Sequence, residues 1–174
     1  MTTRLVEATA VDEIVAVNLS VRNLLDAKLP GAVAGLVQKY QVPAKRLELE
    51  ITESSIMADP AKARETLVQL SAMGVRLAID DFGTGHSSLA YLKRLPVQTL
   101  KIDKSFVVNM GDDDNDHVIV QSTIDLAHNL GLEVVAEGVE SEEVWNQLRL
   151  LGCDVAKGFW RVRCAPRTCR SPFT

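Results

Sequence analysis

The sequence is poor in the features that mark special compartments. It has 3 cysteines in 174 residues. Cys153, Cys164 and Cys169 are too few and too bunched for the disulfide framework of a small secreted domain. The Cys164–Cys169 spacing is not a zinc spacing, so a reducing cytoplasm is the expected compartment. No apolar run approaches the roughly 18 residues that would span a membrane. The opening MTTRLVEATAVDE lacks a basic flank, an apolar segment and a cleavage site, so no signal peptide is expected. The GxGxxG and Walker patterns are also missing, which excludes the usual dinucleotide and P-loop sites.

Positive charge is scarce as well. There are 19 basic and 23 acidic residues, for a net charge of −4. Arg161, Arg163, Arg167 and Arg170 stand in a C-terminal stretch without acids, and removing that +4 leaves residues 1–160 at −8. An acidic body argues against duplex nucleic acid, which requires a basic face. It suits a metal ion.

What is present is an ordinary globular composition, with 47% apolar and 24% charged residues. Length and composition predict one domain over 1–160 and a poorly ordered Arg/Cys-rich tail over 161–174. Short β-rich runs recur at 14–19, 47–52, 75–79, 99–102, 133–136 and 154–159, several of them nearly continuous in apolar residues. Helical segments lie between them. Asp59 caps a helix with Pro60 at its first position, and Gly74 ends it. Ser141 caps another, with Glu142 and Glu143 in the first turn. The alternation predicts an α/β fold with a mostly parallel sheet. Six strands fall short of the eight in a closed (β/α)8 barrel, leaving an incomplete TIM-type barrel or an open doubly wound sheet.

Polar residues collect at the strand ends. These are Asn18, Glu50 with Glu53, Asp80 with Asp81, Lys101 with Asp103, Glu137 with Glu140, and Lys157. In a parallel barrel all these ends share one rim, where barrel active sites are built. So many oxygen ligands repel one another unless a cation neutralises them, and hard ions such as Mg²⁺ or Mn²⁺ prefer oxygen. Taken singly, Glu53 and Glu140 read equally as helix caps, and Asp103 as a structural partner of a lysine. Asp80–Asp81 is stronger, because adjacent carboxylates after a buried strand resist joint ionisation. The run 112–116 lacks the glycine and glutamate of a calcium loop and reads as a helix start. His86, His117 and His128 do not cluster.

The motifs VNLS, LEITES, IDDFGTGHSSL, LKIDKSFV and AEGVE occur in the order seen in EAL domains, and over roughly residues 14–160 the sequence resembles that family of bacterial cyclic di-GMP phosphodiesterases. The resemblance implies a (β/α)8-type barrel, two Mg²⁺ or Mn²⁺ ions and hydrolysis of cyclic di-GMP to pGpG. It implies that Asn18, Glu50, Asp80, Asp81 and Glu137 are metal ligands. Asp81, Lys101 and Glu140 correspond to catalytic positions, and Glu53 to the residue that holds the DDFGTG loop.

Three departures follow from the same resemblance. No Glu-Ala-Leu motif is present, and the first strands of the barrel are expected to be missing. Lys157 stands where the family has glutamine. The tail after Trp160 does not continue the family pattern. The expectation is a hydrolysis-impaired domain acting as a metal- or nucleotide-binding or interaction module. The alternatives are an active phosphodiesterase and a structural fragment without ligand. Exposed strand edges invite pairing, so a homodimer or higher oligomer is expected.

Overall fold

The computed structural model describes residues 14–84 and 89–158. His86, Cys164, Cys169 and the C-terminal tail lie outside the described residues. Among those described are six strands: β1 (Val15–Leu19), β2 (Leu47–Thr52), β3 (Arg76–Phe82), β4 (Thr99–Ile102), β5 (Glu133–Glu137) and β6 (Val155–Lys157). They form one sheet in sequence order, every pair parallel. Sequential order with a helix in most crossovers is the topology of a barrel wall, not of a doubly wound sheet, whose strand order reverses.

The helices are α1 (Val21–Leu24), α2 (Leu29–Tyr40), α3 (Glu53–Met57), α4 (Pro60–Ala72), α5 (Leu89–Leu92), α6 (Lys104–Asn109), α7 (Asp114–Asn129) and α8 (Glu142–Leu150). Their starts follow the capping chemistry in the sequence. Asp59 accepts from the Lys62 amide ahead of Pro60, and Ser141 accepts from the Val144 amide. Asp113 caps α7 through the Asn115 amide, so the 112–116 run is a helix start as expected. Gly74, at φ 84°, carries the chain out of α4, a conformation that costs glycine little.

The core lies between the outer face of the sheet and the helices. Leu49, Ile51, Leu77, Ile79, Leu100, Ile102, Val134 and Ala136 alternate along four strands and are buried there. Leu67 and Leu70 of α4 and Ile124 and Ala127 of α7 close over them. β1 differs. Val15 is 61% exposed and Val17 42%, while Leu19 on the same face is buried, so only the first part of that face lacks cover among the described residues. Among the described residues, no helix is long and apolar enough to cross a membrane.

Candidate functional site

Since the strands are parallel and alternate their side chains, the residues facing away from the apolar layer point into the barrel in tiers. The upper tier is charged. Lys101 Nζ lies 2.9 Å from Glu50 Oε1, 2.9 Å from Asp80 Oδ1 and 2.9 Å from Glu137 Oε1. These residues come from β2, β3, β4 and β5, so one ammonium joins four strands. Its three N–H donors match three acceptors. The Lys101 side chain is 4% exposed, whereas Glu137 at the rim is 35% exposed. Burial alone would push the lysine pKa down. Hydrogen bonds to Glu137, Glu50 and Asp80 outweigh it and hold the pKa above the ordinary lysine value. Lys101 is therefore a fixed cation and donor at neutral pH, not a base.

Asp80 and Asp81 lie within a strand that runs on to Phe82, three residues past the end expected from sequence. The β3–β4 register shifts between Ile79 and Phe82. Such a bulge re-aims side chains next to a site. Asp81 adopts φ 53°, a left-handed conformation that aspartate tolerates better than most residues. Its amide donates to Asp80 Oδ1 at 3.1 Å, and its carbonyl accepts from Thr84 Oγ1 at 2.9 Å. Asp80 thus reaches inward to Lys101, while the Asp81 carboxyl lies near the negative charges of Asp80 and Asp103. Burial, then the negative charge of Asp80, pushes the Asp81 pKa up. Burial pushes Asp103 the same way, but bonds from the Ser105 hydroxyl and amide prevail and hold it below the ordinary value. Asp103 caps α6, accepting from the Ser105 amide at 2.8 Å, which is a structural task.

The other sequence-derived candidates scatter around this centre. Asn18 sits opposite Glu50 in register and is exposed. Lys157 sits opposite Glu137, also exposed, and forms no ion pair among the described residues. Glu140 is exposed in the turn after β5 and does not reach Lys101. Glu53 opens α3, but Thr52 is the cap, accepting from the Ser55 amide. Both Glu53 carboxylate oxygens are buried without a hydrogen-bond partner among the described residues. The side chain shares a small pocket with Ile79, Phe82, Tyr91 and Leu95.

A second charged tier lies below the first, and the sequence reading missed it. Arg76 Nε lies 3.1 Å from Glu48 Oε2. Arg76 Nη2 lies 3.0 Å from Glu133 Oε2 and 3.4 Å from Thr99 Oγ1. Strand spacing could have found it. Glu48 and Glu50, Arg76 and Asp80, Thr99 and Lys101, and Glu133 and Glu137 are each an even number of residues apart, hence on one face.

The donor chemistry of the upper tier fits a hard divalent cation, with three carboxylates converging and an asparagine one strand away. Their present spacing is set by Lys101, and no group of acidic side chains among the described residues is already arranged as a metal cluster.

The EAL domain family model matches residues 2–163. The chain belongs to the EAL domain family. It is 44% identical over 152 residues to the bifunctional diguanylate cyclase/cyclic di-GMP phosphodiesterase MucR of Pseudomonas aeruginosa, covering 87% of this chain and 22% of that protein. The solved PaMucR phosphodiesterase in complex with c-di-GMP superimposes with a TM-score of 0.82 at 44% identity, covering 88% of this chain and 62% of that one. The Klebsiella pneumoniae BlrP1 manganese/cyclic di-GMP complex gives a TM-score of 0.78 at 30% identity, covering 87% and 39%. The chain spans about a fifth of the length of the curated relatives it matches. It is a partial EAL domain, and its six parallel strands form part of the EAL barrel wall.

Proposed function

We propose that this EAL domain binds cyclic di-GMP and a divalent metal, Mg²⁺ or Mn²⁺, at the upper tier, and that its hydrolysis of the nucleotide to pGpG is impaired. The observation that carries this reading is the convergence of Glu50, Asp80 and Glu137 on Lys101, each at 2.9 Å, on the rim where barrels work. The PaMucR c-di-GMP complex and the BlrP1 manganese complex support the ligand and metal classes.

In this reading Asn18, Glu50, Asp80 and Glu137 hold the metal, with Asp81 beside them. When bound, the ion would supply Lewis acidity toward phosphoryl oxygens. Lys101 contributes a permanent positive charge that would polarise an attacking water beside it. Asp81 faces the rim and accepts the proton that water gives up. Glu140 lies on the substrate side, and Glu53 supports the DDFGTG loop from beneath. The impairment reading rests on Lys157 opposite Glu137, a second cation at the rim that would repel an incoming metal ion. The exposed Val15 and Val17 of β1 support a second copy packing there, which sedimentation of the purified chain would detect.

The deciding experiment incubates the purified chain with cyclic di-GMP and Mn²⁺ and follows products by chromatography, with nucleotide binding measured by calorimetry. Binding with little pGpG is the expected outcome. Rapid pGpG formation that disappears in Asp81→Asn would replace impairment with full activity. Neither binding nor Mn²⁺-dependent stabilisation would overturn the site.

A further inference from the structure

The two charged tiers tie together the same four strands. Above, Lys101 of β4 holds Glu50 of β2, Asp80 of β3 and Glu137 of β5. Below, Arg76 of β3 holds Glu48 of β2 and Glu133 of β5, and also reaches Thr99 of β4. In register, Glu48 pairs with Arg76 and Thr99 with Glu133. Each member of the lower tier therefore lies two or four residues below the member of the upper tier on its own strand. At about 3.3 Å per residue, those offsets are roughly 7 and 13 Å along a stiff, ladder-bonded strand. A sideways shift of one strand at the bottom is carried to the top.

We propose that Arg76 is a positioning residue for the upper tier. Its guanidinium fork fixes the spacing of β2, β4 and β5 around β3, and thereby the separation of Glu50, Asp80 and Glu137. Burial supports a task beyond surface pairing. Glu48 and Thr99 are buried, and the Arg76 side chain is 31% exposed. Arginine suits the task because its planar fork presents several donors in fixed directions, whereas a lysine nitrogen is a single point charge. The inference rests on the functional reading only in taking the upper tier as the working site.

The test compares the parent with Arg76→Lys, Arg76→Met and Glu133→Gln, at a temperature where circular dichroism shows each folded. The first readout is independent of metal. With ¹⁵N-labelled lysine, the Lys101 ammonium, caged by three carboxylates, gives a slowly exchanging Nζ resonance, assigned by its loss in Lys101→Met. All three variants are expected to broaden or shift it, with Glu133→Gln the mildest and the one most certain to fold. The second readout is Mn²⁺ affinity by paramagnetic resonance of the free ion. Here Arg76→Lys and Arg76→Met are expected to weaken binding about tenfold, the lower end of what supporting residues around metal sites contribute. An unchanged Nζ resonance in both Arg76 variants overturns the inference. So does a parent-like Arg76→Lys beside a perturbed Arg76→Met, which would make charge rather than geometry the cause. A parent that takes up no Mn²⁺ while its Nζ resonance responds to Arg76 overturns the metal reading alone and leaves the positioning role standing.

Discussion

The two tiers of the barrel interior use the same ingredients to different ends. In the upper tier one almost fully buried ammonium faces three carboxylates, so the cluster carries net negative charge. In the lower tier one guanidinium faces two carboxylates and a hydroxyl, and more water reaches it. The upper arrangement is poised to gain from added positive charge. The lower one is closer to satisfied as it stands. A cluster short of cations is a place for a ligand, whereas a bridged fork is a brace.

The sharpest way to break this contrast is to remove each cation. Lys101→Met is expected to lower stability by about 3–5 kcal/mol, since it leaves carboxylates buried without a partner. Mn²⁺ is expected to restore part of the loss, read from denaturant midpoints with and without the ion. Arg76→Met is expected to cost less, about 1–3 kcal/mol, mainly from stranding buried Glu48, and Mn²⁺ is not expected to restore it. If Mn²⁺ rescued both variants equally, the tiers would not differ in kind.

A third experiment targets the rim. Gly138 has φ 80°, and an added Cβ would lie 2.7 Å from the Lys104 Cβ. Gly138→Ala is expected to cost about 1–3 kcal/mol in strain and to shift the turn that follows Glu137, as measured by thermal unfolding.

Alkaline pH sharpens the comparison more gently. The folded pKa of Lys101 lies above the unfolded value, so its stabilisation is complete below the ordinary lysine pKa of about 10.4 and is lost as pH rises through the folded value. The stability gap between the parent and Lys101→Met is therefore expected to stay constant through neutral pH and to narrow only in strong alkali. The smallest effect concerns Cys153, buried under the sheet with its thiol pushed up to about 12 by burial. Alkylation at pH 8, mapped by mass spectrometry, is expected to spare it until the chain unfolds.

Much of this was legible in the chain itself. The bounds of β2 and β4 match the expectation residue for residue, because Leu47–Thr52 and Thr99–Ile102 end at a helix cap and at Asp103. The convergence of Glu50, Asp80, Lys101 and Glu137 followed from strand ends sharing a rim. β3 ran longer than expected because a bulge admits polar residues that a regular buried strand would not. Glu140 read like the other rim acids, but it sits beyond the strand in a turn, where alternation no longer aims side chains. Arg76 went unnoticed because it opens its strand, at the end away from the rim, although its acidic partners 28 and 57 residues away share its face.

The bulge at Asp80–Asp81 has a consequence best put as parity. A regular strand counts in twos, so neighbouring residues never serve the same side. Here one extra step resets the count, and consecutive carboxylates are both kept out of the oily layer beneath the helices. The reading frame of the wall is therefore part of its chemistry. Deleting Asp81 would straighten the ladder and restore the count in twos, leaving Asp80 opposite Lys101 and the rim one carboxylate poorer.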